Sequence, residues 1–218
     1  EQLGAEITCL EQEGTFPLKI RGIGHQTART AECSLNIDRS SQFLSALLMV
    51  LPLRFEKVRI HLTGTRSARS YVEMTEQMMK QFGHPGVSQI GENCYEVVGG
   101  EYRSQTYQIE PDVSAACYFY AMAAITGGTA VVRHMRRDSL QGDMQFLRIL
   151  EQMGCGMQWK KTQDLTGDQE ELVLQGPSGG KLKGIEAVFS DFSDQTLTMA
   201  AIAPFADAPV TVRGVGHI

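Results

Sequence analysis

The residues best suited to chemistry stand where polar side chains run into apolar stretches. In "NIDRSSQFL", Ser40 and Ser41 place two hydroxyls, and Gln42 an amide, at the head of a strongly apolar segment. A helix beginning there exposes N–H groups and the positive end of its dipole, which together suit a phosphate. A serine that simply caps the helix accounts for the same pattern and is the default use of Ser at that position. In "IEPDVSAACYF", Asp112 and Ser114 have the same form, and capping explains both. In "VFSDFSDQTLTMAA", Asp191 and Asp194 precede a third apolar run. A carboxylate held by helix-start N–H groups stays ionised. It can then accept a hydrogen bond or a proton from a substrate hydroxyl. From spacing alone, capping is the stronger reading of Asp194.

Other polar residues carry less. Tyr71 opens an amphipathic stretch, where a tyrosine is more often a core residue or a half-exposed anchor. His25, His61, His84, His134 and His217 are scattered without metal-ligand spacing, so no metal site is expected. The segment Arg136 to Asp143, "RRDSLQGD", reads as a polar connection with Asp143 near a helix N-cap. Arg133, Arg136 and Arg137 form a short basic spot that suits a small anion better than a long polyanion. No glycine-rich nucleotide loop, P-loop or Ser-His-Asp signature is present.

A long internal repeat organises the elements that position these residues. Gly4, Gly83 and Gly154 close the phrases "EQLG", "KQFG" and "EQMG", 79 and 71 residues apart. Gly22, Gly99 and Gly176 close strand-like phrases at spacings of 77 and 77. Such a period is too long for a thin solenoid and fits a supersecondary unit. Each unit starts with an alternating strand ("SLNID", "TYQIE", "EAVFSD"). A helix follows that is apolar nearly all round and is expected to be buried on every side. A β-branched strand comes next, as in "KVRIHL", "TAVVRHM" or "PVTVRGV". Then comes an amphipathic helix, with Met74, Met78 and Phe82 on one apolar face, or Phe146, Leu147, Leu150 and Met153. The glycine after it is a C-cap candidate. Two strands close the unit. The expected fold class is therefore α/β (α+β), with repeated β-α-β-α-β-β units, buried helices and outer sheets. A partial first unit, one complete unit and a third without its second helix are expected. The phrases at both ends read as cut.

Composition narrows the function classes. At 42% hydrophobic and 21% charged the chain is ordinary globular protein. The formal charge of -5 and the lack of a Lys/Arg cluster argue against nucleic acid as a partner. No run of about 20 apolar residues occurs, so no membrane partner is expected. Cys9, Cys33, Cys94, Cys117 and Cys155 form no CxxC pair. They read as reduced thiols of a cytoplasmic protein, with Cys117 in the core.

"SSQFLSALLM", "DSLQGD" and "SDQTLTMAAIAPFADAPVTVRGVGHI" resemble, in order, signatures of the 5-enolpyruvylshikimate-3-phosphate synthase family. The resemblance runs along essentially the whole chain. It implies an incomplete enolpyruvyl transferase fold of the inside-out α/β barrel type. Residues 1–110 would belong to a first lobe, on the shikimate 3-phosphate phosphate-binding side. Residues 111–218 would belong to a second lobe, on the Asp194 side, truncated before a catalytic glutamate segment. The implied reaction moves the enolpyruvyl group of phosphoenolpyruvate to the 5-hydroxyl of shikimate 3-phosphate and releases phosphate, without a cofactor.

The resemblance also implies roles. Ser40 and Ser41 match serines that bind the substrate phosphate, and Gln42 a glutamine between the two substrates. Tyr71 matches a tyrosine near that phosphate. "SARSYVEMT" departs from the usual Ser-Lys/Arg-Pro-Tyr pattern, so its phosphate-binding serine is either Ser67, with one residue inserted, or lost at Ala68. Asp194 matches the aspartate implicated in deprotonating the attacking hydroxyl. His217 falls at a polar, substrate-contacting position. Because other family segments would lie before Glu1 and after Ile218, the chain alone is expected to be inactive, and its uncovered surfaces are expected to self-associate. Two rival readings remain: the sister UDP-N-acetylglucosamine enolpyruvyl transferase, whose reactive cysteine has no match here, and a non-catalytic scaffold or binding module built on the same repeat.

Overall fold

The structure, a computed structural model, describes residues 1–24, 28–38, 40–64, 69–164 and 167–216. It divides into two compact units, Glu1–Thr106 and Tyr107–Ile218.

In the first unit, β1 (Glu6–Cys9) and β2 (Leu18–Arg21) form an antiparallel ribbon. The remaining elements run β3 (Ala28–Asn36), α1 (Gln42–Val50), β4 (Phe55–Thr63), α2 (Arg69–Gln81), β5 (Val87–Gln89) and β6 (Cys94–Val98). This is one complete β-α-β-α-β-β run. Its sheet has the order β3-β4-β6-β5. β3 and β4 are parallel, in register from Ala28↔Phe55 to Asn36↔Thr63, and the other pairings are antiparallel. Alternation decides which face is inward: Cys33 on β3, Val58 and Ile60 on β4, and Tyr95 and Val97 on β6 are all buried. They meet Leu44 and Leu48 of α1 and Val72 and Met79 of α2.

In the second unit the order is α3 (Val113–Thr126), β7 (Thr129–Arg133), α4 (Met144–Gln152), β8 (Gly156–Asp164), β9 (Gly167–Gln175), β10 (Glu186–Val188), α5 (Thr196–Ile202) and β11 (Thr211–Arg213). The order β7-β9-β8 repeats β4-β6-β5, and the parallel pair β10–β11 repeats β3–β4. The repeat read from glycine spacing is thus a repeat of topology. Its core joins Phe146, Leu147, Leu150 and Met153 of the α4 region to Leu172 and Leu174 of β9 and to the inner side of α3. Gly83 and Gly154, which follow α2 and α4, have φ of 88° and 104°. There a left-handed residue ends the helix at no Cβ cost.

Three expectations are corrected. "TYQIE" is not a strand: residues 107–112 approach α3 without a ladder partner among the described residues, so β7 has no parallel neighbour like β3. The buried stripe of α2 is Val72, Thr75 and Met79, whereas Met78 is 37% exposed. The face is rotated because the Thr75 hydroxyl finds partners within the unit, donating to the Tyr71 carbonyl at 2.7 Å and to Ser45 Oγ at 2.9 Å. The apolar helices are not covered all round. On α3, Ala116, Cys117 and Tyr120 are buried while Tyr118 and Phe119 are 56% and 58% exposed. Leu197 on α5 is 73% exposed. These faces have no covering layer among the described residues.

Candidate functional site

Both parallel strand pairs create the same local geometry. A strand delivers the chain to a helix start, and the parallel neighbour ends beside it. At the end of β3, the Ile37 N–H donates to the Thr63 carbonyl at 3.1 Å, holding the carboxyl ends of β3 and β4 together. α1 follows β3 and α2 follows β4, so both helices start at that one edge of the sheet. This is the edge at which open α/β sheets present helix N-termini to ligands.

At the start of α1, Ser40 and not Ser41 turns back: the Gln42 N–H donates to Ser40 Oγ at 3.2 Å. Ser41 occupies the N-cap position, is 4% exposed and makes no side-chain cap bond. Gln42 is exposed. The nine-residue helix carries no acidic residue in its first turn. Tyr71, in the first turn of α2, is 37% exposed. The Thr75 hydroxyl links the Tyr71 carbonyl to Ser45, one turn along α1 from Ser41. Ser40, Ser41, Gln42 and Tyr71 therefore share one edge of the first unit. Ser67 lies outside the described residues.

In the second unit, Asp191 and Asp194 are exposed on a tight turn after β10. Its inner residues hold it. The Phe192 N–H donates to the Phe189 carbonyl at 3.2 Å, and the Gln195 N–H to the Phe192 carbonyl at 3.1 Å. The Phe189 and Phe192 rings pack at a tilt, their centroids 4.4 Å apart. The spacing-based capping role of Asp194 is not realised, since neither the turn Ser193–Gln195 nor α5 has a side-chain cap bond. Phe192 and Gln195 face inward there, which leaves the Asp194 carboxylate facing solvent. The Phe189 N–H donates to the Arg213 carbonyl at 2.9 Å, joining the ends of β10 and β11. His217, shortly beyond β11, lies outside the described residues.

The start of α3 is built differently. Asp112 caps it, accepting from the Ala115 N–H at 3.2 Å. The Gln141 amide oxygen accepts from the Val113 N–H at 2.8 Å, and its Nε2 donates to the Pro111 carbonyl at 2.8 Å. Ser114 Oγ donates to Asp143 Oδ2 at 2.6 Å. Asp143, expected to cap α4, makes no cap bond to that helix. "DSLQGD" is thus a clamp on α3 and not a solvated connection. Spacing could not reveal Gln141, Asp143 or Gln195, because their partners lie 28 to 81 residues away. The available signal was Gly142, where an added Cβ would stand 2.6 Å from the Asp191 carbonyl.

The basic spot is not an anion site. Arg136 donates to both Asp138 oxygens, at 3.1 and 2.9 Å, and holds that carboxyl below its ordinary value. Arg137 pairs with Glu170 at 3.0 Å and lies over the Trp159 ring. The adjoining pocket of about 520 Å³ is lined by Glu110, Asp138, Asp168 and Glu170 as well as by Arg136 and Lys161. Carboxylates outnumber cations there. Burial pushes the Cys33 and Cys117 thiols up, and Cys155 up to about 11, so none of these three is a ready thiolate nucleophile. The described residues hold no cluster of metal-ligating side chains. No described helix is long and apolar enough to cross a membrane.

The sequence profile of the EPSP synthase family, 3-phosphoshikimate 1-carboxyvinyltransferase, matches residues 1–218. The chain belongs to the EPSP synthase family. A 3-phosphoshikimate 1-carboxyvinyltransferase of Nostoc punctiforme is 43% identical over 216 residues, covering 99% of this chain and 47% of the relative. One from Yersinia pestis is 37% identical over 219 residues, covering 98% and 47%. A solved EPSP synthase from Acinetobacter baumannii superposes with a TM-score of 0.67 over 97% of this chain and 46% of that one. At 23% identity, that likeness speaks for the fold. The chain spans about half the length of the curated relatives it matches. Mixed sheets and helices without a closed barrel among the described residues fit an incomplete EPSP synthase fold.

Proposed function

We propose that this chain supplies part of the shikimate 3-phosphate machinery of an enolpyruvyl transferase. The supporting observation is the start of α1. Ser40 and Ser41 stand beside a helix N-terminus whose first turn carries no acidic residue, at the carboxyl edge of a parallel strand pair. That arrangement suits a phosphate dianion. Ser40, Ser41, Ser67 and Tyr71 are assigned to the substrate phosphate, and Gln42 to the region between the two substrates. Residues 1–110 are assigned to the first lobe of the fold and 111–218 to the second.

Asp194 and His217 are assigned to the shikimate-ring side. The 5-hydroxyl attacks C2 of phosphoenolpyruvate while C3 takes a proton. The hydroxyl proton leaves to a carboxylate base, for which Asp194 is the candidate. A C3 proton of the tetrahedral intermediate is then lost as its C–O bond to phosphate breaks, giving the enolpyruvyl ether and inorganic phosphate. An exposed carboxylate on a rigid turn can accept that proton without rearranging, which is the advantage of a preorganised site. The activity is proposed for the enzyme of which this sequence forms about half, and turnover by the chain alone is not expected. The uncovered faces of α1, α3 and α5 favour self-association in isolation. The work is assigned to cytoplasm.

Amide NMR of the labelled chain during shikimate 3-phosphate addition tests the phosphate assignment. Shifts concentrated at 40–44 and around Tyr71 are expected. A saturating response that leaves those residues unmoved contradicts it.

A further inference from the structure

We infer that Gln195 is a positioning residue for Asp194, fixing its turn against the start of α3. This rests on the reading of Asp194 as a substrate-contacting carboxylate. Gln195 is fully buried, although its neighbour Asp194 is exposed. Its Nε2 reaches the Ser114 carbonyl at 3.5 Å. The same residue, Ser114, is gripped from the other side by Asp143 at 2.6 Å. Gly142, next to Asp143, lies so close to the Asp191 carbonyl that a Cβ there would stand 2.6 Å away. The turn carrying Asp191 and Asp194 is thus bracketed by the "QGD" loop on one side and tied to α3 through Gln195 on the other.

Stability alone does not explain a glutamine here. Its Oε1 is buried without a hydrogen-bond partner among the described residues, as is Asp143 Oδ1. An unsatisfied interior acceptor is destabilising, and an apolar side chain of similar size avoids it. The amide is accounted for by what it holds. With Gln195, Phe192 and Phe189 drawn inward, Asp194 has one outward direction left.

The test compares the full chain with Q195M, which keeps the volume and removes the amide. Amide hydrogen exchange is followed at Ser193–Thr196, together with the carboxylate carbon signal of Asp194 in 13C-labelled protein. Exchange in the turn is expected to accelerate tenfold or more and the Asp194 signal to move, with the melting temperature and the exchange of α4 unchanged or improved. A folded Q195M with an unaltered turn and an unaltered Asp194 signal overturns the inference. G142A approaches the same turn from the opposite side and should loosen it too. If Q195M does not fold, Q195L, which also removes the amide, is read in the same way, and an unaltered turn and Asp194 signal there overturn the inference. D194A separates the two levels. Undiminished shikimate 3-phosphate affinity in D194A removes the assigned role of Asp194, while the loosened turn of Q195M still stands.

Discussion

The starts of α1 and α3 look alike on paper and differ in kind. Both follow an extended segment, both open with hydroxyl or carboxylate residues, and both lead into strongly apolar helices. At α3 side chains of the protein close the helix start. Asp112 takes the Ala115 N–H, Gln141 takes the Val113 N–H, and Ser114 donates to Asp143. At α1, among the described residues, the Ser40 hydroxyl turns inward and the N-cap Ser41 makes no side-chain cap bond. A helix start closed by side chains is architecture. One left unclosed at the carboxyl edge of a parallel pair is where an anion is accommodated. Residue type does not separate the two; the presence of a clamp such as Gln141 does.

Breaking the clamp gives the largest effect. Q141A removes both bonds at the start of α3 and leaves the Val113 N–H unpaired, a loss of about 2 kcal/mol for the second unit. Urea unfolding followed by Trp159 fluorescence reports that unit, since Trp159 is the only tryptophan. A change below about 0.5 kcal/mol on that scale would mean the clamp is ornamental.

The converse substitution, S41A, should barely alter stability because no cap bond is lost. It should weaken shikimate 3-phosphate binding about tenfold, equivalent to about 1.4 kcal/mol. Calorimetry of S41A decides this, and a normal affinity with lowered stability would reclassify α1 with α3. D112A should lose about 1 kcal/mol, the ordinary worth of a cap, with no change in ligand affinity. Thermal unfolding and the same titration check both halves. T75V should have the smallest effect, about 0.5–1 kcal/mol, because it deletes the hydroxyl that ties the Tyr71 turn to Ser45. A loss confined to first-unit probes is expected, and one spread equally through Trp159 would contradict it.

What could be read from sequence was what depends on nearby residues. Phe146, Leu147, Leu150 and Met153 recur at helical spacing, and all are buried. The turn glycines Gly83 and Gly154 do adopt positive φ. The misread α2 stripe shows the limit. Met74, Met78 and Phe82 are the more apolar set, but Thr75 is inside because Ser45 and the Tyr71 carbonyl satisfy its hydroxyl. Cross-chain partners of that sort have no periodicity. The same holds for the candidate site. Ser40, Ser41 and Asp194 stand out by position, whereas Asp143 reads as a cap and Gln195 as nothing in particular. Their partners at Ser114 are 29 and 81 residues away. All-round apolar helices were legible as such, but which face is covered depends on layers that the described residues do not contain.

The most direct test of the central claim is a calorimetric titration of this chain with shikimate 3-phosphate, with shikimate as the control. Binding that requires the phosphate, and that S41A weakens, is the predicted result. Equal binding of the two compounds, or phosphate-dependent binding indifferent to S41A, would contradict a phosphate site at the start of α1.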